Sequence, residues 1–406
     1  MMRAMQPAAR MDSIGTESAF EVAARARALE ATGRSIIHLQ IGEPDFDTPS
    51  NVREAAKAAI DAGMTHYPPY AGLPDLRAAI AADTTARRGF AVEPSNVFVT
   101  VGGKGVMVYA IMGLVDPGDE VIVPDPGYPI YDSITSFVGG TSVPIPIRME
   151  NDFRLDVDEL ASLITPRTKL LVLNSPANPT GGVLTRGDIE RIAELALRHD
   201  LVVLSDEIYS RILYDGAEHV SIASLDGMAE RTILLDGFSK TYAMTGWRLG
   251  YAVVPGWLVK TYSQLIINTI SGVTAFAQAG AIEALRGRQD DVDAMVVEFN
   301  ARRDLVVDGL NAIPGFRCHR PQGAFYVFPD VSGTGLSGAV LADRLLNEAG
   351  VCVLAGTAFG GVGTNHIRIS YANSRENLTE ALARIRTFVG ALEPNRTAGG
   401  PQPVAT

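Results

Sequence analysis

The sequence predicts an α/β protein: a mostly parallel sheet sandwiched by helices, with a smaller α+β part drawn from both ends of the chain. Three observations carry this reading. Short, continuously apolar, β-branched runs recur through the middle of the chain, amphipathic stretches of helical length lie between several of them, and the pattern changes near residue 290. Strands buried on both faces read as unbroken apolar runs, whereas covering helices read with a 3.6-residue period. The runs are "NVFVTV" (96–101), "EVIVP" (120–124), "KLLVLN" (169–174), "LVVLS" (201–205), "TILLD" (232–236) and "LGYAVV" (249–254), and "RGDIERIAELALRHD" (186–200) typifies the helices. Beyond the change, "QDDVDAMVVEFNARRDLVVDGLNAI" (289–313) reads as a long helix leading away from the sheet. Hairpin-like "GFRCHRPQGAFYVFPD" (315–330), a further helix and a final strand in "HIRISYA" (366–372) follow. These predict a large domain over 51–295 and a small domain over 296–392, with residues 1–50 packing with the small one. The Pro/Gly-rich tail, 393–406, is expected to be disordered.

Composition narrows the function. With 47% hydrophobic and 20% charged residues among 406, the chain is globular. Its net charge of −11 argues against a nucleic-acid partner. Cys318 and Cys352 are too few for a disulfide framework and predict a reducing compartment. No apolar run is long enough to span a bilayer, and "MMRAMQPAARMDSIG" lacks a hydrophobic signal core, so a cytoplasmic location is expected. The histidines are scattered without HExxH spacing, so no metal site is expected. "GTGLSG" (333–338) fits the glycine pattern of a dinucleotide turn, but Ala355 and Gly356 stand where the ribose-binding acid belongs. It is read as a loop.

In an open parallel sheet ligands bind beyond the carboxyl ends of the strands, so the residues just past each run are informative. "GGKG" (102–105) opens a helix with bare N–H groups suited to a phosphate; "DPGYPIY" (125–131) offers the ring of Tyr128. "SPANPTGG" (175–182) carries Asn178, "SDEIY" (205–209) carries Asp206 and Glu207, and "GFSK" (237–240) ends in Lys240. A carboxylate keeps a pyridine nitrogen protonated, a lysine of lowered pKa condenses with an aldehyde, and an aromatic plate stacks on the ring. Pyridoxal 5'-phosphate is the cofactor that asks for these parts together.

"IGEPDFDTP" (41–49), "SPANPTGG", "SDEIY", "SKTYAMTGWRLGY" (239–251), "GAFYVF" (323–328) and "HIRISYA", in that order, resemble the class I/II aminotransferases of PLP fold type I, nearest to the bacterial aspartate/aromatic branch. The resemblance implies a PLP-dependent, homodimeric transaminase working by ping-pong transfer between an L-amino acid and a 2-oxo acid. It implies that Lys240 forms the Schiff base and shuttles the proton, and that Asp206 pairs with the pyridine nitrogen. Asn178 and Tyr209 would hydrogen-bond the phenolic oxygen and Tyr128 would stack on the ring. Arg248, Ser239 and the backbone of Gly102, Gly103 and Lys104 would hold the phosphate. Arg368 would take the substrate carboxylate beside Gly42, and Tyr67, with Tyr70 as the near alternative, would reach the neighbouring subunit's phosphate. Two positions depart from the family. Gly237 stands where many relatives place a hydroxyl on the phosphate, and Met112 stands where aspartate-using relatives have a lysine, which leans the donor toward neutral or aromatic amino acids. The scaffold also hosts β-lyases and cyclopropane-forming synthases, and a PLP-binding regulator would need a basic helix-turn-helix that the chain lacks.

Overall fold

The computed structural model describes residues 5–15 and 18–392; the predicted disordered tail lies outside the described residues. In chain order the strands are β1 (Ile37–His38), β2 (Val97–Val101), β3 (Glu120–Asp125), β4 (Thr141–Pro146), β5 (Thr168–Asn174) and β6 (Val202–Asp206). They continue with β7 (Thr232–Gly237), β8 (Leu249–Val253), β9 (Tyr326–Val327), β10 (Val351–Cys352), β11 (Leu354–Ala355) and β12 (Ile367–Ser370). Seven form one sheet in the order β2-β8-β7-β6-β5-β3-β4. β4, β3, β5, β6 and β7 run parallel, whereas β8 is antiparallel to both β7 and β2. The α/β expectation stands, with one strand reversed. All six apolar runs are strands; β4 is the sheet member the sequence reading missed. It is an edge strand with Pro144 and Pro146, only partly buried, so it lacks the continuous apolar run of an interior strand.

Turn chemistry sets the helix ends that matter here. The helix Pro74–Arg88 starts with Pro at its first position and stops at Gly89, which is left-handed (φ 75°). The helix Arg186–Arg198 is closed by a Thr185/Asp188 capping box. Against the sheet, Leu76 and Ile80 of the first helix pack with Val97 and Val99 of β2, Leu234 of β7 and Leu249 of β8, all essentially inaccessible to solvent. Each such side chain contributes about 1.5–3 kcal/mol by burial.

The chain divides into two units. The larger comprises Glu43–Val297, Gln322–Ala324 and the stretch ending at Gly15; the smaller takes the segment ending at Gly42, Glu298–Pro321 and the chain from Phe325. The first 50 residues are therefore shared between the units, where the sequence predicted one segment packing with the small domain. Arg10 lies 5.4 Å from the centre of the Phe137 ring, and Thr48 donates to Ala243 O at 2.7 Å, which ties both ends of that segment to the larger unit. Gln322–Ala324 joins it by backbone bonds such as Ala324 N–H to Ile212 O, 3.0 Å. Within the smaller unit β1 pairs with β10, and β11-β12-β9 form an antiparallel sheet. "GTGLSG" forms a tight turn followed by the helix Gly338–Arg344, which Ser337 caps. The strands on either side of it, β9 and β10, lie in different sheets, so no dinucleotide-type βαβ unit exists there.

Candidate active site

β2 runs directly into the helix Gly102–Leu114, and the reversal of direction falls on Gly102, at φ +67°. Arg248, left-handed at φ +56°, closes the opposite side: its carbonyl accepts from Gly102 N–H at 3.0 Å, and Nη1 donates to Thr245 O at 3.0 Å. A Cβ on Gly102 would lie 2.5 Å from Arg248 Nη2. The guanidinium thus occupies the room the glycine leaves, against a helix N-terminus formed by Gly102, Gly103 and Lys104. Dipole and cation point at the same place, the arrangement an anion requires. Lys104 Nζ lies 5.7 Å from the centre of the Tyr128 ring.

At the end of β6, Asp206 is 3% exposed. It accepts from Tyr131 Oη at 2.6 Å and from Ile208 N–H at 3.2 Å. Burial pushes its carboxyl up to about 7, with the charges of Asp236 and Glu207 adding to the rise. A protonated ring nitrogen placed beside this carboxyl would act against that rise and favour its ionised form. Glu207 differs: it pairs with Arg88 at 2.6 Å, and the charges of His219 and Arg88 hold its carboxyl well below the usual range against the cost of burial. Neighbouring acids are therefore separated by environment, one saturated by ion pairs and the other not.

Asn174 Nδ2 donates to Asp206 O at 3.2 Å, and its Oδ1 accepts from Asn178 N–H at 2.8 Å, which fixes the "NPTG" turn to the end of β6. Tyr209 is buried, and Lys240 Nζ lies 6.0 Å from its ring centre. Tyr128 meets Tyr131 edge to face, centroids 6.1 Å apart. Ser239 is buried beside Lys240. A carboxylate, a lysine, an aromatic plate and an anion cradle thus stand at the rim of one sheet, and they fit the phosphate and ring nitrogen of pyridoxal phosphate.

In the smaller unit Arg368 on β12 is 4% exposed, lies 4.6 Å from the Tyr326 ring centre and 4.8 Å from that of Phe359, and donates to Gln40 O at 2.5 Å. Two rings and a carbonyl fix the guanidinium plane. A Cβ on Gly42 would fall 2.1 Å from Tyr326 Oη, so the chain passes the same tyrosine only as glycine. Tyr67 is 94% exposed, while Tyr70 Oη meets Ser263 Oγ at 3.3 Å. Among the described residues no cluster of His, Cys, Asp and Glu could hold a metal, and no helix is long and apolar enough to cross a membrane.

The model of the aminotransferase class I and II family matches residues 34–385. The chain belongs to the class I and II aminotransferases. An aspartate aminotransferase of Pyrococcus abyssi is 43% identical over 87% of this chain and 91% of its own. The arginine–pyruvate transaminase of Pseudomonas aeruginosa is 44% identical over 91% and 93%. The crystal structure of the aspartate aminotransferase from Rhizobium meliloti superposes with a TM-score of 0.92 at 39% identity, covering 95% of this chain and 99% of that one. The fold is PLP fold type I and the enzyme is a transaminase; nothing in these likenesses favours the lyase alternative.

Three residues of this aminotransferase site escaped the sequence reading. Tyr131 lies in "DPGYPIY", three residues beyond Tyr128, a second aromatic just past the same apolar run. Asn174 ends an apolar strand, a polar residue just where ligand groups are sought. Arg88 has no such signal: it follows Arg87, which pairs with Asp83 at the helix surface, and nothing in the sequence separates the two.

Proposed function

We propose that this aminotransferase binds pyridoxal phosphate through Lys240 and moves an amino group from an L-amino acid to a 2-oxo acid by a ping-pong mechanism. When bound, the cofactor supplies an aldehyde for the lysine and then for the substrate amine, and a ring that accepts the electron pair left on Cα. The chain's own residues do the rest. Lys240, once released by the incoming amine, takes the Cα proton and returns it on the cofactor side. Asp206 holds the proton of the ring nitrogen, kept in line by Tyr131. Arg248, Ser239 and the N–H groups of Gly102, Gly103 and Lys104 hold the phosphate, while Tyr128 stacks on the ring. Asn178 and Tyr209 hydrogen-bond the phenolic oxygen. Arg368 takes the substrate α-carboxylate as a planar fork beside Gly42.

The observation that carries this reading is the buried Asp206 carboxyl, held by Tyr131, on the same sheet rim as Lys240 and the Gly102/Arg248 cradle. Relatives of nearly equal identity bear names with different donors, aspartate and arginine, so the donor is read from the site. Met112 brings no cation and is 40% exposed, which supports a neutral or aromatic donor over an acidic one. Exposed Tyr67, Tyr70, Met112 and Ile267 support a homodimer in which Tyr67 completes the partner's phosphate site. Borohydride reduction of the loaded enzyme followed by peptide mapping should place the label on Lys240. A half-reaction panel of single amino acids should form pyridoxamine phosphate fastest with neutral or aromatic donors. Label elsewhere, or no label, overturns the lysine assignment; a preference for aspartate overturns the donor assignment.

A further inference from the structure

Arg88 ends the helix Pro74–Arg88, yet its side chain is only 2% exposed. A guanidinium so enclosed persists only when anions take up its donors. Nε donates to Glu207 Oε2 at 2.6 Å, and one Nη reaches both Asp236 and, at 3.3 Å, Ser210 Oγ. Both carboxylates are anchored further. Glu207 accepts from Ser205 at 2.9 Å and Ser221 at 2.6 Å, with His219 Nε2 at 2.9 Å. Asp236 accepts from Gly237 N–H at 2.6 Å and from Tyr251 Oη at 3.2 Å.

The two acids stand next to the chemistry. Glu207 follows Asp206, and its own N–H bonds to Leu235 O of the adjacent strand at 2.9 Å. Asp236 precedes Gly237 at the end of β7, which leads through Phe238 and Ser239 to Lys240. β6 and β7 are neighbours, with Asp206 opposite Leu235. Asp206 bonds to Tyr131 of the helix Ile130–Phe137, whereas Glu207 and Asp236 bond to Arg88 of another helix.

We propose that Arg88 is a positioning residue: through Glu207 and Asp236 it locks the ends of β6 and β7 together and offsets their negative charge beside Asp206, so that Asp206 and Lys240 meet the cofactor at a fixed spacing. The inference rests on the roles proposed above for Asp206 and Lys240. The groups that face Asp206 are Tyr131 and the Ile208 N–H, which favour its ionised form, and Asp236 and Glu207, which oppose it. Arg88 and His219 face those two acids and offset them. Without the arginine, both buried acids lose an ion-pair partner, Glu207 retaining His219, and their negative charge acts more strongly on Asp206.

The test titrates the Asp206 carboxyl carbon by NMR in full-length protein without cofactor, the resonance being assigned by its loss in Asp206→Asn. Arg88→Gln should raise the midpoint and Asp236→Asn should lower it, each by at least about half a pH unit, while Arg88→Lys stays nearer the wild type. Opposite signs are the signature of charge; a clamp acting by packing alone would not produce them. Should Arg88→Gln fail to fold, Asp236→Asn and Glu207→Gln decide, and both must lower the midpoint. Folded variants that leave the midpoint unmoved, or move it against the sign given for each, overturn the proposal. This titration involves no cofactor, so its outcome is separate from that of the borohydride mapping.

Discussion

A hydroxyl at position 237, common among relatives as a phosphate ligand, has no room in this chain. A Cβ there would lie 2.9 Å from Gly250 Cα and 3.0 Å from Leu249 O, because Gly237 and Gly250 face each other across β7 and β8. Gly237→Ser should therefore lower stability by about 1–3 kcal/mol without tightening cofactor binding, as read by thermal melts and cofactor titration. Asp206 yields a prediction with a sign. Burial raises it from the ordinary 3.8 to about 7, so the folded, unloaded protein binds the extra proton between those values. Stability then falls as pH rises through that window, by on the order of 1 kcal/mol per pH unit, and levels off above it. Denaturant melts of unloaded Asp206→Asn should show a flatter profile from pH 4 to 7; an unchanged slope refutes the assignment. Glu207, held low, contributes its dependence only in more acid solution. Lys240, Asp206 and Asn178 were legible because each stands just past an apolar run, where ligand groups are expected. Arg88 was not, because the burial of one arginine and the exposure of its neighbour are decided by helix phase against the sheet.

The elements were legible to the extent that burial writes a pattern. Strands covered on both faces leave continuous apolar runs, and all six such runs are strands. The edge strand β4 leaves none, and the reversal of β8 has no compositional mark, since pairing direction depends on which strand lies alongside. "IGEPDFDTP" supplies Gly42, and its later residues hold the loop between Lys240 and Arg248. Thr48 Oγ1 donates to Ala243 O at 2.7 Å and accepts from Trp247 Nε1 at 3.0 Å, and Thr245 Oγ1 donates to Glu43. Ala243 in that loop is itself left-handed, at φ 49°. Thr48→Val removes both bonds at nearly constant volume and should destabilise the protein by about 1–2 kcal/mol. Because the loop sets Arg248, cofactor affinity should fall roughly tenfold, while turnover at saturating cofactor stays close to wild type. Equal cofactor dissociation constants for the two proteins would show that the strap does not act on the phosphate site.

For the molecule as a whole, the sequence indicated two parts but drew the N-terminal boundary too late, because hydrogen bonds made by Thr48, rather than its neighbours in the chain, assign that segment to the larger unit. What composition could not reveal is where apolar side chains remain in water. Tyr70 bonds to Ser263 on the helix Val259–Thr269, and Ile267 follows Ser263 by four residues on the same helix face, 48% exposed. The helix Gly102–Leu114, which carries Met112, packs against it: a Cβ on Gly113 would lie 3.0 Å from Thr261 Cγ2. An apolar surface bordering the phosphate helix is suited to a second copy of the chain. Sedimentation should therefore give twice the chain mass. Ile267→Lys, which places a charge on that surface, should shift the protein toward monomer. If Tyr67 completes the partner's phosphate site, that monomer should also lose cofactor on dilution, and Tyr67→Phe should weaken cofactor binding while leaving the dimer intact. A wild-type monomer that retains its cofactor and full activity would show that one chain builds the whole site.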